Sequence, residues 1–372
     1  MNHLSQLIEH GQSYWLDNLT RKMIENGELQ RRVSEEGLRG VTSNPAIFYK
    51  AVSSGHDYDA QISLCVEKQW PLPQIYEELV TQDIRDACDI LRPVYDQSDF
   101  GDGFVSLEVS PHLAHDVTAS IEEALRLWHT VERPNLMIKI PGTKEGISVA
   151  EKLLKEGVNV NITLLFSTER YQAAAEAYMR ALEYCADNGR PINRVASVAS
   201  FFLSRIDVLI DPLLTQLVER GGEQASQARE LKGQVAIASA RQAYQIYKEI
   251  FKGQRFQTLA EQGARPQRVL WASTGTKNPE YSDIKYVEAL IGSETVNTLP
   301  QDTLAAYRDH GEPAPRLETE LDKAAEVFRR LGELNIDIDE KTQQLENEGI
   351  RKFNEPFDSL MATLESKRRK AA

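Results

Sequence analysis

In the run Leu136-Met137-Ile138-Lys139-Ile140, one lysine interrupts an apolar alternation of period two. Such a run reads as a strand. If Leu136, Ile138 and Ile140 face a covering layer, Met137 and Lys139 point to the other side. An amine shielded from water there is costly to keep as an ammonium, which favours the neutral nucleophile. A neutral amine condenses with a ketone to a Schiff base, and the protonated imine draws electrons from the neighbouring carbon–carbon bond. That chemistry also needs a base for a substrate hydroxyl and an acid–base group for the water released. Two other short runs supply carboxylates: Ser106 and Glu108 lie opposite Leu107 and Val109, and Asp17 shares a face with Trp15.

A third run adds polarity to the same side. In Val158-Asn159-Val160-Asn161-Ile162-Thr163, the valines and isoleucine form one face and Asn159, Asn161 and Thr163 the other. Thr42 and Asn44 share a face as well. A Lys139–Glu108 pair alone is equally readable as a structural ion pair, but such a pair has no need of an Asn, Asn, Thr face beside it.

Positioning these residues requires strands that converge. Strand-like runs occur at Ser13–Asp17, Gly40–Asn44, Phe104–Ser110, Leu136–Pro141, Asn159–Phe166, Arg194–Phe201, Arg268–Thr274 and Thr295–Leu299, each followed by an amphipathic stretch. Eight strand–helix units in series predict a (β/α)₈ TIM barrel, an α/β fold whose helical ring demands apolar residues on the outer strand faces. The polar faces then point inward, near the mouth. A doubly wound open sheet carries a Gly-rich turn after its first strand, whereas Asp17-Asn18-Leu19-Thr20 follows here. Additional helices are expected between the second and third strands, over about 45–98, including an amphipathic one around Leu72–Leu91. A charged helical extension over about 317–372 is expected to pack on the outside of the barrel. The whole of 1–372 reads as one domain, and the helical additions either cover the barrel or carry the contacts of a homodimer. Lys367-Arg368-Arg369-Lys370 reads as a solvated helix end.

At 372 residues, 41% apolar and 27% charged, the chain has the composition of a soluble globular protein. No apolar run approaches the length needed to cross a bilayer, and Met1 to His10 lacks the basic and apolar regions of a signal peptide. Cys65, Cys88 and Cys185 are dispersed and odd in number, which suggests reduced thiols in a cytoplasmic protein. A net charge of −13 argues against nucleic acid or an anionic membrane as partner. A phosphorylated substrate would therefore need local cations.

The sequence resembles the transaldolases, specifically the branch found in cyanobacteria and actinobacteria, over nearly its whole length. The resemblance rests on six motifs in family order: Gly40-Val-Thr-Ser-Asn-Pro-Ala-Ile-Phe48, Ser106-Leu-Glu-Val109, Leu136-Met-Ile-Lys-Ile-Pro-Gly-Thr143, Asn159-Val-Asn-Ile-Thr-Leu-Leu-Phe-Ser167, Ser200-Phe-Phe-Leu-Ser-Arg-Ile-Asp207 and Leu270-Trp-Ala-Ser-Thr-Gly-Thr-Lys-Asn278. It implies Lys139 as the Schiff-base lysine and Asp17 as the proton acceptor in retro-aldol cleavage. It implies Glu108, assisted by Thr163, as the group acting on carbinolamine water. Asn44 and Asn161 would hold donor hydroxyls, and Ser200 would line the pocket. The implied reaction moves a dihydroxyacetone unit from sedoheptulose 7-phosphate or fructose 6-phosphate to glyceraldehyde 3-phosphate or erythrose 4-phosphate, in the non-oxidative pentose phosphate pathway, with no cofactor and no metal. Arg205 matches the family's phosphate-binding arginine. A second arginine that many relatives carry in Ala-Ser-x-Arg is replaced here, because Ala272-Ser273-Thr274 continues as Gly275-Thr276-Lys277. Ser273 and Lys277 are expected to take its place, with Gly275 letting the backbone approach the anion.

Rival readings are weaker. His112, His115 and Asp116 resemble part of a metal site, but they sit where a helix begins and no third histidine is near. Asn161-Ile162-Thr163 matches a glycosylation pattern inside a barrel strand of a cytoplasmic protein, where it would not be modified. Asp17 and Glu108 could form a glycosidase pair, which would leave Lys139 without purpose. Related aldolases that release free dihydroxyacetone have short chains without large helical additions. A non-catalytic sugar-phosphate-binding barrel would be expected to have lost Lys139, Asp17 or Glu108.

Overall fold

The computed structural model describes residues 3–371; Met1, Asn2 and Ala372, at the ends of the expected domain, lie outside the described residues. Eight strands close into a barrel in chain order, all neighbours parallel: β1 (Gln12–Leu16), β2 (Gly40–Thr42), β3 (Phe104–Glu108), β4 (Leu136–Pro141), β5 (Val160–Leu165), β6 (Ser197–Phe202), β7 (Arg268–Ala272) and β8 (Thr295–Leu299). Helices surround them, so the fold is the expected (β/α)₈ barrel with helical additions. Outward strand residues such as Leu107, Ile138, Val160 and Ile162 are fully or almost fully buried beneath that ring. The cysteines are all free, buried and on helices. Among the described residues, no helix is long and apolar enough to cross a membrane.

Several strands end earlier than their sequence patterns suggest, each for a local reason. β2 stops at Thr42, and Asn44 instead caps the helix Pro45–Ser53, its side chain accepting a hydrogen bond from the Ile47 amide at 3.0 Å. Pro45 forces this, since the residue before proline is held extended while proline itself suits the first helical turn. β7 stops at Ala272 because Ser273 takes a left-handed φ of 56°. β5 begins after Asn159, whose amide donates to the carbonyls of Pro134 and Leu136 and whose oxygen accepts from the Ala196 amide. That side chain stitches three strand starts together at the floor of the barrel.

Polar side chains at the floor are tied together by hydrogen bonds. Gln12 donates to Leu290 and Thr295, and Trp15 donates to Asp102 at 2.9 Å. Asp102 also pairs with Arg268 at 3.2 Å and accepts from Ser13. The Trp15 indole lies flat against Gly40, where an added Cβ would come within 2.5 Å of the ring.

Between β2 and β3 stand three helices, Pro45–Ser53, Asp59–Glu67 and Leu72–Gln97, within the expected insertion. The C-terminal extension contains two, Leu321–Glu333 and Ile338–Ala371. Here the expectation of packing outside the barrel holds only for the first. Helix Ile338–Ala371 crosses the C-terminal mouth, because its buried face must cover two surfaces at once, the ends of β5 and the insertion helices. Gly349 permits the crossing: a Cβ there would meet Leu164 at 3.1 Å. Leu360 and Leu364 are buried further along, Phe357 meets Tyr76 edge-on at 5.4 Å, and His112 lies 2.7 Å from Asp358. Lys367 bonds Asp59 and the Gly55 carbonyl, so the basic end is anchored at its first residue, while Arg368 and Arg369 pair with Glu365. Gly40→Ala should displace Trp15 and cost about 1–3 kcal/mol, the usual range for overpacking; an unchanged urea-unfolding midpoint would contradict this packing.

Candidate active site

At the mouth of the barrel lies a cavity of about 330 Å³, within the range of small-molecule sites. Nine of the ten residues singled out from sequence line it: Asp17, Asn44, Lys139, Asn161, Thr163, Ser200, Arg205, Ser273 and Lys277. The tenth, Glu108, lies behind Lys139 beside a separate apolar space lined by Val109, Leu164, Ile350 and Phe353.

Lys139 is 5% exposed and projects from β4 toward β3 and β2. Its ammonium donates to the Ser43 carbonyl at 2.8 Å and lies 3.5 Å from Glu108 Oε2. Parallel register sets the second contact, because Glu108 and Lys139 are paired across β3 and β4. Asn161, in register with Lys139 on β5, donates to Ser106 Oγ at 3.1 Å and accepts from Ser200 at 2.7 Å. The chain Ser106–Asn161–Ser200 thus fixes the amide beneath the amine. Asp17 accepts from Thr42 at 2.9 Å, and Thr42 is 3.1 Å from Thr298. Thr163 reaches the cavity past a register irregularity between Ile162 and Leu165, where Leu164 adopts a φ of 60°.

The electrostatics divide the two carboxyls from ordinary ones. Burial pushes Glu108 up to about 7, against the opposing pull of Lys139. Burial raises Asp17 as well, opposed by Lys139, its bond from Thr42, and the more distant Arg205 and Lys277. Burial thus disfavours the charged form of both carboxyls, and Glu108 can hold or surrender a proton near neutrality, as an acid–base group must.

Cations gather at the outer end of the cavity. Arg205 sits in the first turn of the helix Ser204–Arg220, after β6, with its guanidinium over the Phe202 ring at 5.5 Å. Its Nη1 is buried and has no hydrogen-bond partner, and burial holds its pKa below the usual value. A half-buried guanidinium with one buried, unused donor is suited to an anion. Ser204 and Ser273 hydroxyls lie 2.9 Å apart, tying Arg205's helix to the end of β7. Lys277 and Gly275 line the same end.

Sequence reasoning missed the residues from helix Ile338–Ala371: Lys352, Phe353 and Pro356 also line the cavity. Phe353 stands 5.9 Å from the Lys139 ammonium, and Lys352 is 3.3 Å from Glu348. No periodicity in a charged helix marks which residue will meet a lysine half a barrel earlier in the chain. Thr298 and Phe202 were missed for a milder reason, since the inward parity of β8 and β6 went unused. His115 bonds Glu145, and Asp116 caps the helix Val117–Val131, as their helix-start position suggested. Among the described residues, no cluster of three or more His, Cys, Asp or Glu could hold a metal ion.

Comparison with known proteins places this geometry. The family model for transaldolase/fructose-6-phosphate aldolase matches residues 14–364. The chain is 50% identical to Transaldolase 2 of a Nostoc species over 99% of this chain and 98% of that one. It is 48% identical to a transaldolase of Trichodesmium erythraeum over 99% and 98%. With a transaldolase of Mycobacterium bovis the identity is 43% over 96% and 95%.

Because Glu108's pKa is raised from 4.5 to about 7, the folded chain keeps this proton where the unfolded chain has lost it. Its contribution to stability is therefore full at low pH and is lost as pH climbs to about 7. Relative to the native chain, Glu108→Gln should gain stability by up to about 3 kcal/mol between about pH 5 and about pH 8. Urea unfolding across that range reads this directly; a constant difference would contradict the raised carboxyl.

Proposed function

Because the chain belongs to the transaldolase/fructose-6-phosphate aldolase family, we propose that it is an enzyme that transfers a dihydroxyacetone unit between sugar phosphates through an imine on Lys139. The donors are sedoheptulose 7-phosphate and fructose 6-phosphate, and the acceptors glyceraldehyde 3-phosphate and erythrose 4-phosphate, within the non-oxidative pentose phosphate pathway. One observation carries the mechanism: a lysine amine 5% exposed, with only a carbonyl and a raised carboxyl for partners, opening into a polar cavity.

In this reading the amine attacks the donor ketone. Glu108, beside it, takes and returns the protons of the carbinolamine, with Thr163 close to the departing water. Asp17 takes the proton of the hydroxyl next to the bond that breaks, and the electron pair moves into the iminium. Asn44, Asn161 and Ser200 orient hydroxyls of the bound unit. The acceptor aldehyde then meets the nucleophilic carbon, its oxygen is protonated, and water frees the new ketose from Lys139. Arg205, with Ser273 and Lys277, holds the phosphate end against the chain's overall negative charge. No cofactor takes part. We read the helical additions as belonging to the same domain as the barrel, and the protein as cytoplasmic and in contact with neither nucleic acid nor membrane.

Borohydride added with fructose 6-phosphate should fix a reduced dihydroxyacetone adduct on Lys139, located by peptide mass mapping. An adduct elsewhere, or none, refutes the mechanism. Lys139→Ala should lower kcat by at least about a thousandfold, as expected for loss of the covalent route. Arg205→Ala should raise KM for erythrose 4-phosphate by roughly ten- to hundredfold, the worth of a charge-assisted hydrogen bond. A kcat loss with KM unchanged would remove Arg205 from phosphate binding.

A further inference from the structure

A family that spans both a transferase and an aldolase raises the question of what commits a given chain to transfer. Both outcomes share one intermediate. Carbon–carbon cleavage leaves an enamine on the lysine, with the electron pair of the broken bond held at its terminal carbon. In transfer, that carbon forms a bond to the acceptor aldehyde carbon, and the aldehyde oxygen takes a proton. In release, the same carbon takes a proton from water, the resulting iminium adds water, and the C–N bond breaks to free dihydroxyacetone and the protonated amine. The choice depends on how much water reaches the enamine before the acceptor does.

Helix Ile338–Ala371 forms part of the wall beside Lys139. Phe353 projects from it into the boundary between the main cavity and the space beside Glu108. Its ring lies 5.9 Å from the Lys139 ammonium. Behind it, Ile350, Leu164, Pro141 and Val109 leave about 10 Å³ beside Glu108, at the lower edge of what one water occupies. The helix is held down at both sides of this point, by Arg170 to Glu346 at 3.1 Å before it and by Tyr76 to Phe357 after it. The ring therefore sits on a braced element. The small space beside Glu108 on that side of the amine has room for at most about one water.

We propose that Phe353 is a specificity-determining residue, the apolar cap that favours transfer over release by limiting the water available to the Lys139 enamine. The inference rests on the imine at Lys139. Its test compares free dihydroxyacetone with transferred product, using fructose 6-phosphate as donor and erythrose 4-phosphate as acceptor. Phe353→Ala should raise the ratio of released to transferred product by about tenfold, and Phe353→Leu, which keeps an apolar cap, should return it toward the native value. Leu360→Ala removes a buried anchor of the same helix away from the site; it should lower the thermal midpoint and leave the ratio unchanged. An unaltered ratio in Phe353→Ala overturns the proposal, as does an equal rise in Leu360→Ala, which would assign the effect to a loosened helix. Borohydride trapping in each variant keeps the two questions apart. An adduct on Lys139 with an unchanged ratio defeats only the role of Phe353, whereas its absence from the native protein defeats the imine reading itself.

Discussion

A lysine amine held out of water inside a ring of strands is the constraint from which the rest of the site follows. Removing an ammonium from solvent costs several kcal/mol unless partners repay it, and here the partners are few: the Ser43 carbonyl and a carboxyl whose own burial raises its pKa. Beside Lys139, Glu108 is held where burial disfavours its charge, which leaves it able to exchange a proton near neutrality. Such a pair is poor as a structural ion pair and well suited to chemistry.

The two ends of the barrel show how this differs from ordinary polar burial. At the floor, Gln12, Asn159, Trp15, Asp102 and Arg268 bond to one another and to strand carbonyls. They hold register and exclude water from below. At the mouth, Arg205 retains a buried donor with no partner, and the strand side chains point into open volume. The floor is closed by these bonds, whereas the mouth opens into a polar cavity. Since the strands run parallel, both ends are built by the same eight segments, and rigidity at one is transmitted to the other through the ladders.

The C-terminal helix completes the enclosure. Its position over the mouth arises from packing on the insertion helices and on β5, not from any bond to the reactive groups, yet it delivers Lys352, Phe353 and Pro356 to the cavity wall. An element that looks like external decoration in a charged sequence thereby becomes one wall of the site. Where the helix passes Leu164 it presents Gly349, whose added Cβ would press on the leucine tip.

Strand parity made most of the inner wall legible without coordinates. Period-two alternation tells which residues share a face, and the helical ring decides which face must be apolar, so Lys139, Glu108, Asp17 and Asn161 could be assigned inward from local pattern alone. The same reasoning located the barrel and the insertion, while Pro45 and Ser273 shifted strand ends for reasons of backbone geometry. What lies opposite an inward residue is another matter. The contact between Phe353 and Lys139, the unpartnered donor of Arg205 and the raised carboxyl of Glu108 depend on ring closure and on the path of a helix far along the chain. Local periodicity records the direction of a side chain relative to its own strand or helix; only the packed structure sets its distance to groups distant in sequence, and with it the local dielectric and charge.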